Sequence, residues 1–136
     1  MSTAKKNLNG ALISSYTVAT GQSATLGYVA VLSGADDEVD DAGTGSDLGI
    51  GIFLETAVAG ARVQVAHSGI VPVTVGTGGA TRGAKAFIPA AADGLADAPA
   101  AAAGGTSTPI YGIFMQSGIV GDRVGMLITL GNRESA

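Results

Sequence analysis

Few residues in this chain could do chemistry. His67 is the single histidine, and Ser68 stands beside it. A serine nucleophile needs a base within hydrogen-bond reach and a third group to orient that base, whereas neighbours on a strand point to opposite faces. His67 is therefore expected to face solvent or an interface. No Gly-x-Ser-x-Gly elbow occurs, since the nearest window, Gly21-Gln22-Ser23-Ala24-Thr25, lacks the second glycine. Gly78 to Gly83 has the spacing of a phosphate-binding loop, but Ala84 holds the lysine position and Lys85 comes one residue late with no hydroxyl after it. Gly76-Thr77-Gly78-Gly79 reads as a turn. Asp36, Glu38, Asp40 and Asp47 fall at the first, third, fifth and twelfth places of a calcium-loop template. Asp41 stands where that loop turns on glycine, and the twelfth residue is Asp, not Glu. The expectation is a chain with no catalytic residue, no cofactor and no metal.

The composition narrows the partners. Charged residues make up 13% of the 136, about half the usual share, so part of the exterior is expected to be covered by other chains. The formal net charge of −4 offers no basic field for nucleic acid. Cysteine is absent, which removes disulfides, thiolates and the common zinc sites. No window approaches the roughly 20 apolar residues of a membrane helix, and the polar residues Asn7, Asn9, Ser14 and Ser15 interrupt any secretory core after Lys5 and Lys6. With three Tyr, three Phe and no Trp, a stacking platform for sugars or bases is poorly furnished. Tyr16, Tyr28 and Tyr111 are expected to pack or to make subunit contacts.

The elements that must position these residues read as strands. Twenty-two glycines punctuate short runs of Val, Ile, Leu, Phe and Thr, the pattern of strands joined by tight turns. Strands are expected at Ser15–Thr20, Leu26–Leu32, Leu48–Glu55, Arg62–Ala66, Gly69–Val75, Ala84–Ile88, Pro109–Gln116 and Arg123–Leu130. Period-two alternation in Arg62–His67 and Ile70–Val75 supports this. Pro72 cannot donate to a ladder, which predicts an edge strand or a bulge to which a neighbour could attach. Gly34 to Asp47 reads as an acidic, solvated loop, and Ala90 to Gly105 as a low-complexity surface loop whose prolines and glycines prevent a helix of more than about two turns. Residues 1–13 read as a flexible arm that orders on contact with a partner, leaving 14–136 as a single domain.

One repeat stands out. Gly51-Ile52-Phe53, six residues, Gly60-Ala61-Arg62-Val63 returns as Gly112-Ile113-Phe114, six residues, Gly121-Asp122-Arg123-Val124, at a constant offset of 61 residues. Each copy reads as a hairpin-like unit: a strand ending in an aromatic, a turn near glycine, and a return strand beginning with Arg. Arg62 and Arg123 hold equivalent places and are candidates to pair with acidic groups across a subunit boundary, against the alternative that each simply faces water.

These runs carry a family resemblance. Val29-Ala30-Val31, then Gly49-Ile50-Gly51-Ile52-Phe53 with Ala57 to Val65, then His67-Ser68-Gly69-Ile70-Val71-Pro72-Val73, Arg82 to Phe87 and the closing Tyr111-Gly112-Ile113-Phe114 with Gly121 to Val124 together resemble the head-decoration, or capsid cement, proteins of tailed bacteriophages. The likeness covers about residues 26 to 131, and rests on turn glycines and strand valines. It implies an all-β, β-barrel or β-tulip-like single domain with the hairpin repeat and a flexible arm. It also implies a homotrimer on the outside of an icosahedral head, bound to the major capsid protein at local three-fold positions, in a virion assembled from protein made in the bacterial host cytoplasm. Lys5, Lys6 and Asn7 in the arm are the expected capsid contacts. The competing expectation is a carbohydrate- or surface-binding β-module of a fibre or adhesin, which would need a concave aromatic face. A small barrel enzyme or a calcium-binding protein would need clustered chemistry that this chain lacks.

Overall fold

A computed structural model describes residues 4–43, 49–98 and 107–134. It is all-β, with no helix among the described residues. Asp47 and Leu48, the end of the acidic segment and the expected start of a strand, lie outside the described residues, as do Pro99 and Gly104-Gly105 of the alanine-rich one.

Among the described residues twelve strands occur: β1 Ile13–Val18, β2 Ser23–Ala24, β3 Val29–Leu32, β4 Glu38–Asp41, β5 Gly51–Phe53, β6 Ala57–Val58, β7 Arg62–Ala66, β8 Ile70–Thr74, β9 Lys85–Phe87, β10 Ala96–Asp97, β11 Ser107–Phe114 and β12 Arg123–Glu134. In the first half, β1-β4-β3-β5-β7 close into a barrel. In the second half, β10-β9-β11-β12-β8 form a sheet, and a parallel bridge between Val75 and Leu95 joins its two outer strands. A short ribbon pairs β2 with β6.

The two halves are copies. The pairs Ile52↔Ala66 and Phe53↔Val65 of the first half become Ile113↔Leu127 and Phe114↔Met126 in the second. Likewise Thr17↔Arg62 becomes Thr74↔Arg123, Ala30↔Asp41 becomes Ala86↔Asp97, and the parallel Val18↔Val39 becomes Val75↔Leu95. Turn hydrogen bonds follow the same equivalence: Gly27 N–H donates to Phe53 O and Gly83 N–H to Phe114 O, at 3.0 and 2.7 Å. The duplication legible in the sequence as a hairpin thus extends to a whole five-stranded module. Both modules are filled alike. The first is packed with Val18, Ala24, Ala30, Val39, Phe53, Val63 and Val65, and every one has its counterpart in the second cluster: Val75, Ala80, Ala86, Leu95, Phe114, Val124 and Met126.

The modules do not stack symmetrically. Val29, Ile52 and Ala66, on the outer face of the first module, join the same core as Val71, Val73, Tyr111 and Ile128 of the second. Val29 and Lys85 are equivalent positions, as are Ile52 and Ile113, and Ala66 and Leu127. Each residue of the first module is buried, and each of the second is half-buried or exposed. One outer face is therefore used inside the molecule, and its copy is left on the surface.

Two sequence expectations are corrected and a third is refined. The acidic segment is not simply a loop: Glu38–Asp41 is a barrel strand, pairing with β1 on one side and β3 on the other. One apolar residue suffices for this, because Val39 alone points inward and is fully buried, while its neighbours point out by the alternation of the strand. The alanine-rich segment also contributes a strand, β10, preceded by a fully buried Leu95. Pro72 does lie on the edge strand β8, but the chain itself occupies that edge. Asn7 and Ile70 exchange backbone hydrogen bonds of 2.8 and 3.0 Å at one end, and Thr74 N–H donates to Gly27 O at the other. Pro72 removes the donor between them, which protects the edge from a foreign strand.

Candidate functional site

At His67 the copies differ in chemistry, since its counterpart in the second module is the buried Ile128. Its Nδ1 lies 2.6 Å from the carbonyl oxygen of Ile50. A carbonyl only accepts, so Nδ1 carries the proton, and Nε2 accepts from the Tyr16 hydroxyl at 3.0 Å. The two rings meet edge-on, 5.9 Å apart. Ser68 is turned elsewhere, its Oγ accepting from Leu12 N–H at 2.9 Å. His67 and Tyr16 thus close the end of the first module with a polar pair where the second module is apolar and covered.

The two arginines also have different fates. Arg62 is engaged by its own module: NH1 donates to Asp37 and to Thr17 Oγ1, and NH2 to Ser15 O. Asp37 holds the left-handed φ of 70° that lets it reach across. Arg123 repeats one of these bonds, donating from Nε to Thr74 Oγ1 at 3.0 Å, and has no ion-pair partner among the described residues. Thr74 Oγ–H donates in turn to Leu26 O, so Arg123 lies on the seam between the modules.

Tyr28, Asp41 and Asp93 surround the same seam. Burial pushes the Tyr28 phenol above its usual value, the negative charges of Asp41 and Asp93 add to this, and Arg123 opposes it. Asp41, Asp93 and Asp97 share one device: each carboxylate accepts both the backbone N–H and the hydroxyl of a threonine sixteen residues earlier, Thr25, Thr77 and Thr81. The spacing occurs three times, and its Thr25–Asp41 and Thr81–Asp97 instances stand at equivalent register positions of the two modules, a signal of the duplication that the glycine–aromatic motif does not contain. The Thr77 hydroxyl, and then its backbone N–H, hold the Asp93 carboxyl below the usual aspartate range. A carboxyl whose folded value is depressed adds stability above its unfolded value, and this is lost as pH falls through the folded one. Asp93→Asn is expected to lower the urea midpoint modestly at pH 7, with the gap to the parent closing below about pH 4. A gap that does not change with pH would refute the assignment.

Lys5, Lys6 and Asn7 are exposed, and the arm that carries them runs along the domain from residue 4 onward. Lys5 N–H donates to Gln116 Oε1 at 2.8 Å, the same oxygen that accepts from Gly125 N–H. Gly125 admits this crossing, because a Cβ there would stand 2.6 Å from Lys5 Cβ. Leu8 packs onto the larger core. The expected capsid contacts are thus brought to the outer face of the second module, where Lys5 crosses β12 at Gly125, two residues from Arg123, whereas Arg62 belongs to the first module. Among the described residues no three His, Asp or Glu side chains group as metal ligands would, and Asp47 of the calcium-loop template lies outside those residues.

No family model matches the chain, and no curated protein matches it. Among solved structures it resembles the N base of the head fibre protein gp8.5 of bacteriophage phi29, with a TM-score of 0.64 over 88% of this chain and 94% of that one, at 13% sequence identity. At that identity the likeness establishes a shared fold.

Proposed function

We propose that this protein is a non-enzymatic structural subunit of a phage head, carried on its outer surface as a decoration protein. The observation that supports the reading is the end-to-end likeness to the base of a phage head fibre, which joins the resemblance to cement proteins carried by the strand and turn motifs. The chemistry agrees with it. His67 is used to close a module, Ser68 to hold the arm, and Arg62 to brace a hairpin, so the reactive side chains are spent on architecture.

In this role the mechanism is mechanical. A subunit that binds only the assembled shell stabilises it by RT ln(1 + [L]/Kd), and a trimer multiplies weak contacts by avidity. Lys5, Lys6 and Asn7, held on one outer face, would meet the major capsid protein. A second reading, favoured by the neighbour's being a fibre base, is that the protein mounts a further appendage on the head. Of the six aromatic residues, Tyr111, Phe53 and Phe114 are buried and Tyr16, Tyr28 and Phe87 half-buried, which leaves little for the aromatic face required of a sugar-binding module.

The test is immunogold labelling of virions of the source phage with antibody raised against the purified protein, coupled to a heat challenge of particles with and without it. Label on the outer head, and earlier genome release from particles that lack the protein, are the expected results. Virions without label would overturn the proposal.

A further inference from the structure

The outer face left bare by the asymmetric packing of the modules is also chemically distinct. Lys85, Ile113 and Leu127 form one cross-strand row over β9, β11 and β12. It copies the row Val29, Ile52 and Ala66, on which the second module rests within the chain. Only the first position changes from apolar to cationic. Ile113 and Leu127 remain half-buried and Lys85 is exposed, with the exposed Lys5 beside them across Gly125. Neither lysine forms an ion pair among the described residues.

The complementary surface lies on the other module. In the β3–β4 hairpin, Leu32 is 65% exposed, and a shallow open hollow of about 320 Å³ runs from it to Asp37. Asp37 is taken by Arg62, and Glu38 accepts from Ala35 N–H. Asp36 is exposed and keeps its charge free of any bond among the described residues.

We propose that a second copy of this chain docks its β3–β4 hairpin on the Lys85–Ile113–Leu127 face, with Asp36 against Lys85 and Leu32 against Ile113 and Leu127. The proposal rests on the reading of the protein as an assembling structural subunit and supplies the contact. Two different patches meet, so the contact is head-to-tail, and such contacts close into rings when the rotation allows. This is the kind of interface a cyclic trimer needs. The row is suited to it because its copy on the first module, Val29, Ile52 and Ala66, already holds a neighbour inside the molecule, and the charges on the two patches are opposite.

Sedimentation equilibrium of the full chain tests this, with circular dichroism confirming that each variant folds. The parent is expected to self-associate, less so at high salt. Lys85→Glu and Asp36→Lys are each expected to weaken association about tenfold or more, and the double variant to recover to within about threefold of the parent. The single variants move the net charge in opposite directions, so general repulsion between acidic chains would split them, whereas a shared contact weakens both. Association untouched by either variant, or a parent that stays monomeric at about millimolar concentration, overturns the proposal. Both outcomes leave the virion-labelling test standing, because labelling reads attachment to the head whatever the self-association.

Discussion

Replacing Gly27 with alanine is expected to cost about 3–5 kcal/mol of stability, while the same change at its structural twin Gly83 costs about 1 kcal/mol. Both glycines sit in the left-handed region, at φ of 82° and 89°, so the conformational strain of a Cβ is common to the two. Their surroundings differ. A Cβ on Gly27 would lie 2.6 Å from the backbone nitrogen of Thr74 and 2.7 Å from its Oγ1, whereas one on Gly83 meets nothing within 4 Å. The clash falls on the 3.1 Å hydrogen bond from Thr74 N–H to Gly27 O, which ties the first module to the edge of the second. Backbone cannot move aside without opening that seam. Thermal melts read the difference directly, at about 4 °C for each kcal/mol in a chain of this length. Equal shifts for the two variants would show that the seam does not constrain Gly27.

Phe53→Ala and Phe114→Ala are each expected to destabilise the protein by about 3–5 kcal/mol, the usual cost of emptying a buried phenyl site. Both rings are fully buried, one at the centre of each module, at equivalent register positions. The more informative outcome is the shape of the unfolding curve. Val29, Ile52 and Ala66 of the first module share a continuous apolar core with the second, and the N-terminal arm runs from the first module onto β12 and β8 of the second. Unfolding either module would expose this shared surface, so both variants are expected to melt in a single transition displaced to lower temperature. Two separate transitions, with only the mutated half moved, would show that the modules are independent folding units.

The sequence by itself determined the class of fold and most of the strands. Alternation places Val63 and Val65 inward and Arg62 and Gln64 outward in β7, because a pleated strand sends successive side chains to opposite faces. Pro72 marked an edge, since a residue without an N–H cannot serve an inner strand. The constant spacing of Gly51-Ile52-Phe53 and Arg62 from their second copies was legible because those residues have demands that persist in both modules. A Cβ on Gly51 or on Gly112 would collide with the carbonyl oxygen across the ladder, and the phenylalanines fill the two interiors.

The extent of the duplication was decided only in three dimensions. Backbone pairing is indifferent to most side chains, so Tyr16 and Val73, or Val29 and Lys85, can occupy equivalent register positions without any likeness in type. The same holds for β4, where a single inward Val39 among acidic neighbours carries too little apolar signal to announce a strand. Which arginine remains available was likewise hidden: Arg62 and Arg123 stand in matching Gly-x-Arg-Val runs, yet the tertiary fold brings Asp37 to Arg62, while Asp93, two residues before Leu95 as Asp37 is before Val39, accepts from Thr77. Local spacing sets which face a residue takes, but the partner on that face comes from strands tens of residues away.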